Sequence, residues 1–108
     1  MEDLKTIEQF HQVKLKKVMF VFTANWCPDC SAIKPMMPQI SAQHTEYMWL
    51  YVNRDHFSQL VRELNIYGIP SFIAFENGIE LGRFVSKARK NKSEIEKFIM
   101  SLEKGGKQ

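Results

Sequence analysis

Cysteine is scarce in this chain, with two in 108 residues, and glycine and proline number only five and four. A secreted domain stapled by disulfides usually carries four or more cysteines, so that class is excluded. No apolar stretch approaches the roughly 20 residues that a membrane-spanning helix needs. The opening MEDLKTIEQF carries acids and no unbroken apolar run, so a cytoplasmic protein without a signal peptide is expected. No internal repeat or low-complexity segment interrupts the chain. Charge of one sign is also limited: the net charge is +3, and the basic runs KLKK (14–17) and KARKNK (87–92) have no interleaved aromatic residues. Nucleic-acid binding is therefore set aside, and both runs are read as solvated turns.

What is present suits one domain spanning residues 1–108, with 104–108 as a frayed tail. At 44% hydrophobic residues, a chain of this length buries about two-thirds of its unfolded surface. Thr6 and Gln9 have capping-box spacing ahead of a helix from about Ile7 to Val13, with Ile7, Phe10 and Val13 on one face. The unbroken run Val18 to Phe22 reads as a strand covered on both faces. A helix is expected from Pro28 to about Gln43, kinked at Pro35, and Pro38 either deepens the kink or divides the helix. YMWLYVN (47–53) reads as a second buried strand, with Trp49 in the core. Asp55 is placed as N-cap of a helix carrying Leu60, Val61 and Leu64. Asn77-Gly78 predicts a two-residue hairpin turn between strands at about 71–76 and 79–85. Ser93 and Glu96 are read as a capping box for a last helix with Ile95, Phe98, Ile99 and Leu102 inward, ended by Gly105 and Gly106. This order implies an α/β fold: a central mixed sheet of four or five strands flanked by helices on both faces.

Two segments carry a family resemblance. FTANWCPDCSAIKP resembles the active-site segment of thioredoxins: a strand, a tryptophan, Cys-x-x-Cys, and a helix with a proline five residues past the second cysteine. About forty residues further on, YGIPSFIAFENG is similar to that family's cis-proline loop and hairpin. The match extends from about residue 4 to 103. Pro28-Asp29 between the cysteines resembles thioredoxin-related proteins with WCPDC more than those with Gly-Pro. The resemblance implies a thioredoxin-like fold, a cis Ile69-Pro70 bond, and an Ile69 backbone that pairs with an extended substrate beside the cysteines. It also marks departures. Val21 and Tyr51 stand where the family commonly has a buried aspartate and a lysine, leaving the proton acceptor for Cys30 to Asp29 or water. Ser86 stands where the family tends to have glycine beside the groove.

The chemistry of the pair follows from position. Cys27 falls at a helix start, where free backbone amides and the helix dipole favour a thiolate. Cys30, one turn further in, is placed to resolve a mixed disulfide formed on Cys27. Asp29 lies within the same turn, so its charge is expected to leave Cys27 less acidic than a neutral residue would. Trp26 either packs over the disulfide and contacts partners or only shields the core. Pro28, Ile69 and Pro70 complete the expected substrate-binding set. A zinc site fails on spacing: His44 suits a third ligand, but His56 lies too far beyond it and His11 precedes the pair. An iron–sulfur cluster shared between copies finds no particular support in Pro28 or Pro70.

The expected function is a monomeric thiol–disulfide oxidoreductase that reduces protein or small-thiol disulfides, with no cofactor beyond the redox-active Cys27–Cys30 pair. Its electron donor would be a thioredoxin-reductase-like protein or a low-molecular-weight thiol. The alternatives are a peptide-binding adaptor with little turnover, or a disulfide oxidase or isomerase.

Overall fold

The computed structural model describes residues 1–105, with side chains through Glu103. Five strands form one sheet: β1 (Glu2–Asp3), β2 (Val18–Thr23), β3 (Met48–Asn53), β4 (Ser71–Glu76) and β5 (Ile79–Phe84). Their order is β1-β3-β2-β4-β5, with β3 parallel to β1 and β2, and β4 antiparallel to both β2 and β5. The helices are α1 (Ile7–Val13), α2 (Pro28–Ile33), α3 (Met37–Gln43), α4 (Ser58–Glu63) and α5 (Lys92–Gly105).

Alternation along β2 divides the core. Val18, Phe20 and Phe22 pack with Phe10 and Val13 of α1 and with Leu60 and Val61 of α4. Met19 and Val21 point the other way, onto Ile33, Met37 and Ile40 of α2 and α3 and onto Ile95, Ile99 and Leu102 of α5. All six β2 residues are buried, as the unbroken apolar run required. Burying each large side chain here contributes about 1.5–3 kcal/mol. Trp49 is in the core, its indole N–H donating to the His44 carbonyl at 3.0 Å.

Several local expectations hold. Thr6 caps α1 by accepting from the Gln9 N–H at 3.0 Å, while the Gln9 side chain accepts from the Lys5 N–H at 2.7 Å. Asn77 and Gly78 both take positive φ, 55° and 80°, which the two-residue hairpin turn demands. Pro35 sits in a 3-10 turn (Lys34–Met36) separating α2 from α3, and Pro38 lies in the first turn of α3. The proline pair thus divides the helix rather than merely bending it, because Pro38 is tolerated only where no intrahelical donor is required.

Others are corrected. Ile7 is left exposed at the start of α1. Asp55 does not cap α4; the Asn53 side chain accepts from the N–H groups of Asp55 and His56, and α4 opens after Phe57 with no side-chain cap. The last helix is capped two residues before the expected box: Asn91 Oδ1 accepts from the Glu94 N–H at 2.8 Å, and Glu94 Oε1 accepts from the Asn91 N–H at 2.9 Å. Glu96 instead meets the His44 ring at 2.7 Å. Two boxes of the same spacing compete here, and the ring of His44 draws Glu96 away from the backbone. Strand β1 was not foreseen; two exposed residues are too short for periodicity to register. Helix α5 runs to Gly105, and the remainder of the expected frayed tail, 106–108, lies outside the described residues.

The caps give a direct test. Asn91→Ala should destabilise the fold by about 1 kcal/mol in urea unfolding, whereas Ser93→Ala should stay within about 0.5 kcal/mol of wild type. Equal effects would contradict the assignment of the cap to Asn91.

Candidate active site

Strand directions bring the site together. The parallel register pairs Thr23 with Asn53, so the segments leaving β2 and β3 emerge side by side. The antiparallel register pairs Phe22 with Ser71, so the segment entering β4 arrives at the same end. Phe72 pairs with Phe84, which adds the segment leaving β5. Asn25–Cys27, Arg54–Asp55, Gly68–Pro70 and Val85–Asn91 therefore converge at one end of the sheet.

Cys27 is the N-cap residue of α2, and its sulfur accepts from the Cys30 N–H at 3.1 Å. The same sulfur lies 3.9 Å from the Ile69 carbonyl oxygen. A disulfide joins Cys27 to Cys30, whose Cα atoms are 5.2 Å apart. Cys30 is wholly buried and Cys27 retains 5% exposure, so of the two only Cys27 meets solvent. Ala24 and Ile69 pack against the pair. The Ile69–Pro70 bond is cis, as the resemblance implied, and Pro70 is buried. Pro28 occupies the first turn of α2 and is exposed.

Trp26 does not shield the core: it is 60% exposed. Its indole N–H donates to Asp55 Oδ2 at 2.7 Å, and the Arg54 guanidinium lies over the ring, 5.8 Å from its centre. A hydrogen bond to a charged acceptor contributes about 1.5–3 kcal/mol, less where solvent reaches it, so it fixes the direction of the ring more than it stabilises the fold. Asp29 is half-buried, and Arg89 Nε donates to its Oδ1 at 2.9 Å.

The segment after β5 corrects the reading of KARKNK as a solvated turn. Lys87 and Arg89 are exposed, but Lys90 is 2% exposed. Its ammonium donates to the carbonyls of Ser86 at 3.1 Å and Ala88 at 3.0 Å, and it stands over the Phe84 ring. Burial pushes the Lys90 ammonium below the usual lysine range, while the charges of Asp29 and Glu94 pull it back. Two hydrogen bonds and an aromatic face thus compensate a cation that would otherwise be costly to bury. Ser86 is half-buried, and its backbone lies so close to Gly68 that a Cβ there would overlap the Ser86 carbonyl group. The Ser86 backbone is thus held between Gly68 and the Lys90 ammonium.

Val21 and Tyr51 are direct neighbours in the β2–β3 register, and Val21 is wholly buried. Burial, then the charge of Asp3, pushes the Tyr51 phenol above its ordinary value of 10.0. A raised value means a neutral phenol throughout the physiological range, which is no base.

The thioredoxin family profile matches residues 4–101, and the chain belongs to the thioredoxin family. It is 32% identical over 85 residues to the mitochondrial thioredoxin-2 of Schizosaccharomyces pombe, covering 78% of this chain and 64% of that protein. It is 29% identical over 92 residues to thioredoxin H2-1 of Oryza sativa subsp. japonica, covering 85% of this chain and 64% of that one. The crystal structure of a wild-type thioredoxin h from poplar superposes with a TM-score of 0.80 at 26% identity, covering 94% of this chain and 95% of the other. The chain thus spans slightly less than two-thirds of the length of these two sequence relatives.

The sequence-derived site residues Trp26, Cys27, Pro28, Asp29, Cys30, Ile69 and Pro70 are gathered at one end of the sheet. The sequence pattern does not single out Arg54, Asp55, Arg89 or Lys90 as part of it, whereas Gly68 belongs to the cis-proline loop that the resemblance marks. Arg89 is 60 residues from Asp29 and Asp55 is 29 from Trp26, separations at which no local spacing rule operates.

The Tyr51 assignment is testable. A general base contributes about 10²- to 10⁴-fold to a rate. Tyr51→Phe should leave disulfide-reduction kinetics unchanged between pH 6 and 9, and a loss of that size would show that the phenol takes the proton after all.

Proposed function

We propose that this chain is a thiol–disulfide oxidoreductase that reduces disulfides of protein or small-thiol partners through a Cys27/Cys30 cycle. The observation that carries the proposal is the setting of the Cys27 sulfur, between the Cys30 N–H at 3.1 Å and the Ile69 carbonyl at 3.9 Å. The amide favours a thiolate in the reduced protein. The carbonyl belongs to a backbone that can pair with an extended peptide, which would present its disulfide beside Cys27.

In the cycle, the Cys27 thiolate attacks one sulfur of the substrate disulfide, forming a mixed disulfide and releasing the other sulfur as a thiolate. Cys30 then loses its proton and attacks the Cys27 sulfur. The Cys27–Cys30 disulfide forms, and the second substrate thiolate departs; two electrons have passed to the substrate. Burial of Cys30 protects the resolving thiol from external oxidants while leaving it in reach of Cys27. The proton goes to water or to Asp29, whose carboxylate stands in the same helical turn.

Trp26, Pro28, Ile69 and Pro70 are assigned to the substrate surface. The family implies disulfide substrates and a reductase as electron donor; here that donor is a thioredoxin-reductase-like protein or a low-molecular-weight thiol. A monomer acting in the cytoplasm is part of this reading. No helix among the described residues is long and apolar enough to cross a membrane.

Cys30→Ser should accumulate mixed disulfides through Cys27, visible by mass as substrate adducts that a reductant releases, and should lose turnover. Cys27→Ser/Cys30→Ser should capture nothing. Partners retained undiminished by the double variant would identify an adaptor instead.

A further inference from the structure

The residue between the cysteines is a carboxylate, and a carboxylate within one helical turn of a thiolate opposes its formation. In the folded chain that carboxylate has a partner from elsewhere. Arg89, on the segment between β5 and α5, donates from Nε to Asp29 Oδ1 at 2.9 Å. The Arg89 side chain is 67% exposed and that of Asp29 32%. Such a pair adds little to folding stability, because water already solvates both charges. Its consequence lies in where it holds the charge.

The geometry points to Arg89 as a positioning residue of the Cys27–Cys30 pair: by holding the Asp29 carboxylate, it offsets the one negative charge inside the motif and leaves the Cys27 sulfur free to become a thiolate. This rests on the redox reading proposed above and extends it to a residue far from the motif. The segment carrying Arg89 is well anchored. Lys90 is buried beneath it and holds the Ser86 and Ala88 carbonyls, and Ser86 is pressed against Gly68, next to Ile69. At the other end, Asn91 and Glu94 cap α5. The guanidinium is thus delivered to Asp29 from a fixed base.

The charged groups around the motif include Asp29 on α2, Lys34 just after it, Arg89 and Lys90 on the segment after β5, Glu94 at the start of α5, and Arg54 and Asp55 after β3. Arg54 and Asp55 lie 3.9 Å apart, and both engage Trp26. Lys90 also feels Asp29, so it supplies part of the compensation when Arg89 is absent.

The test is a four-protein cycle: reduced wild type, Arg89→Gln, Asp29→Asn, and the double variant, each followed by the pH dependence of Cys27 alkylation with iodoacetamide. Arg89→Gln should move the midpoint up by about half a unit, lowering the alkylation rate below the midpoint about threefold. Asp29→Asn leaves Arg89 unpaired and should move it down. In the double variant the midpoint should stay close to that of Asp29→Asn, because Arg89 acts through the carboxylate, whereas Arg89→Lys should keep the wild-type midpoint. The upward shift should shrink as ionic strength rises beyond about 0.15 M. A profile for Arg89→Gln that overlies wild type overturns the inference, as does the same shift in the Asp29→Asn background. Failure of the redox reading is read separately: wild-type protein would then reduce no disulfide offered, whatever its alkylation profile.

Discussion

Strand β4 is hydrogen-bonded antiparallel to β2, while β3 on the other side of β2 is parallel to it. The start of β4 is therefore held against the ends of β2 and β3, and the antiparallel β4–β5 pair adds the end of β5. Four connecting segments that are far apart in the chain must leave the sheet at one end. The cysteine pair, the cis-proline, the Arg54–Asp55 turn and the Arg89–Lys90 segment are neighbours for that reason alone. A strand register slipped by one residue would turn every β2 side chain to the opposite layer of the core, so the packing of Phe20 and Phe22 on one face and Met19 and Val21 on the other enforces the alignment.

Around this frame the electrostatics are economical. One sulfur meets solvent and accepts an amide, and the other is sealed. The carboxylate between them is answered by an arginine from across the site. A lysine that burial would otherwise penalise is held by two carbonyls of its own segment and an aromatic face. Exposed pairs of this kind contribute little to stability, whereas the buried lysine must be compensated or the segment would open. The two cations of adjacent residues thus differ in kind: Lys90 shapes the segment and Arg89 acts through it.

Patterns that repeat within a few residues were legible beforehand. The Thr6 cap, the doubly covered β2 run, the Asn77-Gly78 turn and the cysteine pair all depend on near neighbours, and the sequence contains those neighbours. Pro38 illustrates the limit, since local rules allow either a deeper kink or a divided helix. The misread cap of α5 has the same origin. Asn91/Glu94 and Ser93/Glu96 satisfy one spacing rule equally well, and a histidine 52 residues away at the end of α3, His44, engages Glu96. Asp55 stands where a cap would, yet the Asn53 side chain at the end of β3 takes the turn N–H groups instead, and α4 opens two residues later with no side-chain cap.

Residues of the chain by themselves determined the element types, the covered character of the central strand, and the pairing of a thiol at a helix start with a second thiol one turn on. These are short-range consequences of periodicity and backbone valence. Only the tertiary structure decided that Lys90 is buried, that Trp26 is turned outward onto Asp55, and that Asp29 is matched by Arg89. The physical reason is separation: a charge or an indole takes its partner from whatever the sheet brings beside it, and strand order, not sequence distance, sets that.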